Sequence, residues 1–157
     1  MEELKVPTRL IAVKVSTTDG ATECGSMYHT ESLYQTGSPE DIIDELNDDR
    51  GFVPFASSDT MVNALLSKRH IVRVRVRDLS IEDLRPGEAS ELEHVHPCTL
   101  QFDDGTRITG RLVLETPSSH SRLVDKVNYG LSFVPFVTNE CVDLINCAHI
   151  ARILVED

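Results

Sequence analysis

Leu100-Gln101-Phe102-Asp103-Asp104-Gly105-Thr106-Arg107-Ile108-Thr109-Gly110-Arg111-Leu112 is the stretch on which the fold turns. Cys98 to Phe102 reads as one strand, Asp103-Asp104-Gly105 breaks it, and apolar side chains return at alternate positions with Ile108, Leu112 and Leu114. Period-two alternation on both sides of a glycine turn predicts a β-hairpin. The first half of the chain carries the same layout. Leu10 to Val15 reads as a strand, Thr17-Thr18-Asp19-Gly20 as its turn, and Asp19-Gly20 with Gly25 mirrors Asp104-Gly105 with Gly110.

The correspondence continues outward. Phe52-Val53-Pro54-Phe55 returns as Phe133-Val134-Pro135-Phe136, and Asp44 and Asn47 before the first phrase match Asp125 and Asn128 before the second. After each phrase comes a His-Ile pair, His70-Ile71 and His149-Ile150, with Arg73 and Arg152 two residues further on. A unit used twice predicts two small similar domains. We expect them at 8–78 and 98–157, joined by an acidic linker over 79–97 that holds Pro86-Gly87.

Each half reads as strand, strand, helix, strand, strand, strand. Ser38-Pro39-Glu40-Asp41 offers a cap, proline at the first helical position and acids beside the positive end of the helix dipole. Ile42, Ile43 and Leu46 then recur at helical spacing, closing at Asn47-Asp48. Ser119, with Leu123, Val124 and Val127, predicts a second helix ending at Asn128-Tyr129-Gly130. The repeated phrase opens a third strand whose proline removes a ladder donor, which predicts an edge position or a bulge. Met61 to Leu66 and Ile71 to Arg77 follow in the first copy, Cys141 to Asn146 and His149 to Val155 in the second. The fold class is mainly β with short helices. Short bent strands of this kind suit a small barrel, because closure removes exposed edges.

Composition narrows the function classes. Among 157 residues, 26 are Asp or Glu and 15 are Lys or Arg, a formal net charge of −11. Affinity for a phosphate backbone comes largely from Lys and Arg, so this balance disfavours nucleic-acid binding as the main task without excluding a local patch. No apolar run approaches the roughly 20 residues of a membrane span, and Met1-Glu2-Glu3-Leu4-Lys5 lacks the features of a signal peptide, so a cytoplasmic protein is expected. Cys24, Cys98, Cys141 and Cys147 form no Cys-x-x-Cys pair and read as small buried side chains in a reducing compartment.

The stretch quoted first resembles the first signature of the Sm-like (Lsm) superfamily, and Val13 to Gly20 with Gly25 repeats it more loosely. Leu66-Ser67-Lys68-Arg69-His70-Ile71 and Leu144 to Ile153 look like the second signature, in particular its bacterial form with a Lys-His pair. The first glycine suits a turn needing positive φ, and the second lets the strand bend sharply enough to join both sheets of a barrel. The resemblance implies two tandem Sm-like or SH3-like barrels and an assembly in which the fourth strand of one barrel pairs with the fifth of the next. Members of that superfamily carry their helix before the first strand, whereas here it falls between the second and third. The RNA-holding Asp and Asn of that loop have no clear counterparts. Asp44, Asn47, Asp125 and Asn128 fall on helices instead, where hydrogen bonding at the helix end explains them.

Candidate chemistry is sparse. Lys68, Arg69, His70, Arg73, Arg75 and Arg77 form the one dense basic stretch, and alternation puts Arg73, Arg75 and Arg77 on one strand face. These residues can meet phosphates or an acidic partner, or pair with the acidic helix of the same repeat. His149 and Arg152 are the equivalent site in the second copy, which keeps Arg152 alone of that row. His94, His96 and Cys98 lack a nearby fourth ligand, so no metal is expected. No nucleophile elbow, phosphate loop or His-Glu-x-x-His helix occurs, so neither catalytic residues nor a cofactor are expected. The leading expectation is a non-enzymatic homo-oligomerising module with protein partners. The alternative is RNA binding through Lys68, Arg69, His70, Arg73 and Arg75. The longer Tyr28 to Gly37 insertion, against Val113 to Ser118 in the second half, is a further candidate for a difference between the halves.

Overall fold

A computed structural model describes residues 8–30, 41–80, 95–114, 132–139 and 141–155. The chain divides into two compact units, Met1–Asp78 and Leu79–Asp157, and the protein is mainly β. The first unit contains β1 (Thr8–Thr17), β2 (Thr22–Thr30), α1 (Asp41–Asn47), β3 (Phe52–Ser57), β4 (Asn63–Ser67) and β5 (Ile71–Val76). Its strands lie antiparallel in the order β5-β1-β2-β3-β4, with one turn of 3-10 helix at Lys68–His70 between β4 and β5. In the second unit β6 (Val95–Phe102), β7 (Arg107–Val113), β8 (Phe133–Thr138), β9 (Cys141–Asn146) and β10 (Ile150–Val155) follow the order β10-β6-β7-β8-β9. A 3-10 turn at Cys147–His149 again separates the last two strands.

The alternation seen in the sequence becomes two faces. Ile11, Val13 and Val15 on β1 are buried with Val74 and Val76 on β5, Met27 on β2 and Phe55 on β3. Helix α1 adds Ile42 and Leu46, both almost fully buried, and lies against β2. In the second unit Cys98, Leu100 and Phe102 on β6 are buried with Leu112 on β7 and Phe136 on β8. Taking each such side chain out of water contributes about 1.5–3 kcal/mol, so these aliphatic layers stand in for the missing tryptophan.

The first glycine of each hairpin acts as expected, whereas the second is required by close packing and not by the expected bend. Gly20 and Gly105 have φ of +85° and +89°, with open space where a Cβ would sit. Gly25 and Gly110 lie under the repeated phrase. A Cβ on Gly25 would come within 2.8 Å of the Phe55 ring and closer still to the Ala56 carbonyl oxygen. One on Gly110 would do the same to the Phe136 ring and the Val137 carbonyl oxygen. The second phenylalanine of Phe-Val-Pro-Phe therefore occupies the space that the second glycine leaves empty.

Several expectations need correction. Pro54 lies on neither an outer strand nor a register shift: β3 sits between β2 and β4, and its pairing with β4 runs unbroken through Pro54↔Leu65. The ladder to β2 instead ends at Phe55, one residue short of the proline, and the β7–β8 ladder ends at Phe136 beside Pro135. Since proline offers no N–H, the sheet stops pairing there on one side only. Only Cys98 of the four cysteines is buried; Cys24 and Cys141 are exposed and Cys147 is half-buried. Cys24 has outward parity on β2 opposite Lys14, and Cys141 starts β9 at a turn. Met61 and Val62 belong to the β3–β4 turn, with β4 beginning at Asn63, and His149 lies in the 3-10 turn before β10. β6 begins at Val95, three residues ahead of the expected Cys98, because pairing with β7 extends to Val95↔Val113. The expected second helix, the rest of the linker and the insertion beyond Thr30 lie outside the described residues.

Candidate functional site

The Lys68–His70 stretch does not present one basic surface. Lys68 is buried: its Nζ donates to Asp48 Oδ1 at 2.6 Å and to the Asp48 carbonyl at 3.3 Å. Arg50 reaches the same carboxylate at 2.6 Å and Glu45 at 2.5 Å, tying the end of α1 to the turn before β5. Partial burial pushes the Asp48 carboxyl upward, but hydrogen bonds from Arg50 and Lys68 outweigh it and hold the group at about 2. The Asp48 and Glu45 carboxylates raise Arg50 in return. Asn47 donates to the Ile43 carbonyl at 2.9 Å, the expected bond at a helix end.

His70 and His149 are clamps on hairpin turns. The His70 carbonyl accepts from the Thr18 N–H at 2.9 Å, and its Nδ1 lies 3.2 Å from Thr18 Oγ1. In the second unit the His149 carbonyl accepts from the Asp103 N–H at 3.0 Å, and its Nδ1 lies 3.2 Å from Asp103 Oδ2. Each turn is tied internally by its own aspartate. Asp19 accepts from the Thr17 hydroxyl and the Ala21 N–H, and Asp104 accepts from the hydroxyl and N–H of Thr106. Those bonds hold both carboxyls below their ordinary range. The signal for these roles was the His-Ile pair in each half, but the partner across the fold is invisible in sequence.

The remaining basic residues share the outward face of each sheet. On the first unit, pairing aligns Arg73 with Ser16 and Thr22, and Arg75 with Lys14 and Cys24. On the second it aligns Arg152 with Gln101 and Arg107, Leu154 with Thr99 and Thr109, and Pro97 with Arg111. Arg107, Arg111 and Arg152 are exposed. Arg107 Nε donates to Gln101 Oε1 at 3.1 Å, and the Thr99 and Thr109 hydroxyls are 2.8 Å apart. The second unit thus has its own basic face, although only Arg152 matches the Arg73–Arg77 row. Arg107 and Arg111 come from β7, and only strand pairing brings them beside β10. Arg69 lies exposed in the 3-10 turn, away from these rows.

Among the described residues no group of three His, Cys, Asp or Glu side chains could hold a metal ion, and no helix is long and apolar enough to cross a membrane. Burial raises the Cys147 thiol, which keeps it protonated and a poor nucleophile. No family model, no curated protein and no solved structure matches this chain.

Proposed function

We propose that this chain is a non-enzymatic assembly module of Sm-like type, acting in the cytoplasm, that oligomerises through one strand edge on each unit. The observation that carries the reading is an inversion of burial between corresponding strands. Phe52 and Leu65, outward on β3 and β4, are 58% and 69% exposed, while Phe133 and Leu144 at the same places on β8 and β9 are 1% and 0%. The fifth strands invert the other way. Val76 on β5 is 1% exposed, whereas Val155, its counterpart on β10, is 59% exposed, and Leu154 beside it is exposed too.

A fourth-strand surface on one unit and a fifth-strand surface on the other therefore stand open. β4 carries Asn-Ala-Leu-Leu-Ser, without the lysine or proline that usually protects an edge, and pairs with β3 alone among the described strands. Met61 and Val62 extend the same apolar surface at the preceding turn. The occupant that fits is a second copy of this chain, whose β10 offers the complementary strand. Repetition of one such contact gives a ring if the rotation closes.

Light scattering on the purified chain tests this, with Leu65→Lys and Leu154→Lys as interface variants. Both side chains are exposed, so neither substitution empties the core. The expected result is an oligomer in the parent and smaller species in both variants. A parent that is monomeric at high protein concentration overturns the proposal.

A further inference from the structure

The two outward sheet faces are segregated in charge. Sixteen outward positions, eight on β1, β2 and β5 and the eight corresponding ones on β6, β7 and β10, make up the rows described above together with Ala12 opposite Ser26. At the average composition of a chain with 26 acidic and 15 basic residues in 157, they would hold about three acids and one or two bases. They hold no acid, and six bases: Lys14, Arg73, Arg75, Arg107, Arg111 and Arg152. The positive charge keeps its place in the fold while moving between strands, from β1 and β5 in the first unit to β7 and β10 in the second. Internal pairing of Arg73 with a particular neighbour would not require Arg107 and Arg111 to appear on a different strand of the other unit.

We propose that the outward face of β6, β7 and β10 binds the phosphate backbone of a nucleic-acid duplex. Arginine with threonine and glutamine donors is the side-chain set that contacts phosphates. Arg107 and Arg111 are four residues apart on one strand, about 13 Å, and Arg152 lies two strand spacings from Arg107, about 10 Å. Measured along the duplex axis, where each strand places one phosphate per about 3.4 Å, about 13 Å spans about four phosphates of one strand. Neither outward face carries an aromatic side chain at these positions, so unstacked bases of a single strand find no platform. A duplex keeps its bases stacked and offers phosphates alone. Among the described residues no acid occupies these sixteen positions, and salt near physiological strength screens charges beyond about 8 Å.

The test is fluorescence anisotropy of the full chain with a short labelled DNA duplex across a salt series, beside a single strand and an oligoglutamate. Three arginine contacts give a slope of log affinity on log salt of about −2.7, or about 40-fold weaker binding on going from 50 to 200 mM. Arg107→Glu with Arg111→Glu is expected to weaken binding at least tenfold and to flatten the slope to about −0.9. Circular dichroism confirms that the double variant folds; if it does not, Arg107→Gln with Arg111→Gln replaces it, with the same flattening expected. The proposal is overturned if no duplex is bound at low salt or if the folded variant binds as the parent does. Tighter binding of the single strand also overturns it, and retention of oligoglutamate without duplex identifies an acidic protein segment instead.

Discussion

Gly105 and Gly110 belong to one hairpin, yet replacing each with alanine should fail by a different mechanism and to a different degree. At Gly105 the space is open and the cost is conformational, since an L-residue at φ +89° loses about 1–2 kcal/mol. At Gly110 the backbone is ordinary and the cost is steric. The new Cβ would sit 2.8 Å from both Phe136 Cε2 and Thr138 Cγ2, and nearer still to the Val137 carbonyl oxygen. A ring edge can shift, but that carbonyl belongs to β8, which is paired with β7 through Arg111↔Val137, so relief requires the strands to part. Overpacking of this kind costs about 1–3 kcal/mol, and loss of the short β7–β8 ladder puts Gly110→Ala at or above the top of that range. In a unit of this size each kcal/mol moves the melting temperature by roughly 4–8 °C. Thermal and urea melts of Gly105→Ala, Gly105→Asn, Gly110→Ala and Gly110→Asn separate the two causes. Asparagine tolerates positive φ and should recover much of the loss at 105, while at 110 it should be worse than alanine. Equal losses for the two alanine variants, or recovery by asparagine at 110, would refute the reasoning.

Two further outcomes follow from single sites. Asp48 is held at about 2 against an ordinary 3.8, so its contribution is fully present above pH 3.8 and is lost as pH falls through that value toward 2. The gap corresponds to at most about 2.4 kcal/mol, and the exposure of Arg50 reduces it to on the order of 1–2. Lys68→Met should lower stability at neutral pH and flatten the acid limb of a stability profile between pH 4 and 2; an unchanged limb would remove Lys68 from the cluster. Met61 has φ +59° and is 86% exposed, so Met61→Gly should raise stability by about 1 kcal/mol by relieving strain without emptying the core, measured by urea denaturation. A loss there would mean that the side chain is held by contacts in an assembly.

Alternation and turn chemistry were enough to place the strands, because side-chain parity and the positive-φ demand at Gly20 and Gly105 are local properties of the chain. The same locality placed α1 from Ile42, Ile43 and Leu46. Parity also put Arg73 and Arg75 on one face. Contacts between distant residues were decided by the tertiary structure. Sequence allowed the basic stretch to pair with the acidic helix, but did not show that Lys68 would be the buried partner of Asp48 or that His149 would meet Asp103, since those contacts span 20 and 46 residues. Nor did it reveal that Arg107 and Arg111 complete a basic face with Arg152. Which of two matching strands is buried and which stands open is equally invisible in a repeated sequence, because burial depends on what packs against a strand and not on the strand alone. Phe52 and Phe133 are the same residue in the same phrase; one faces solvent and the other is enclosed.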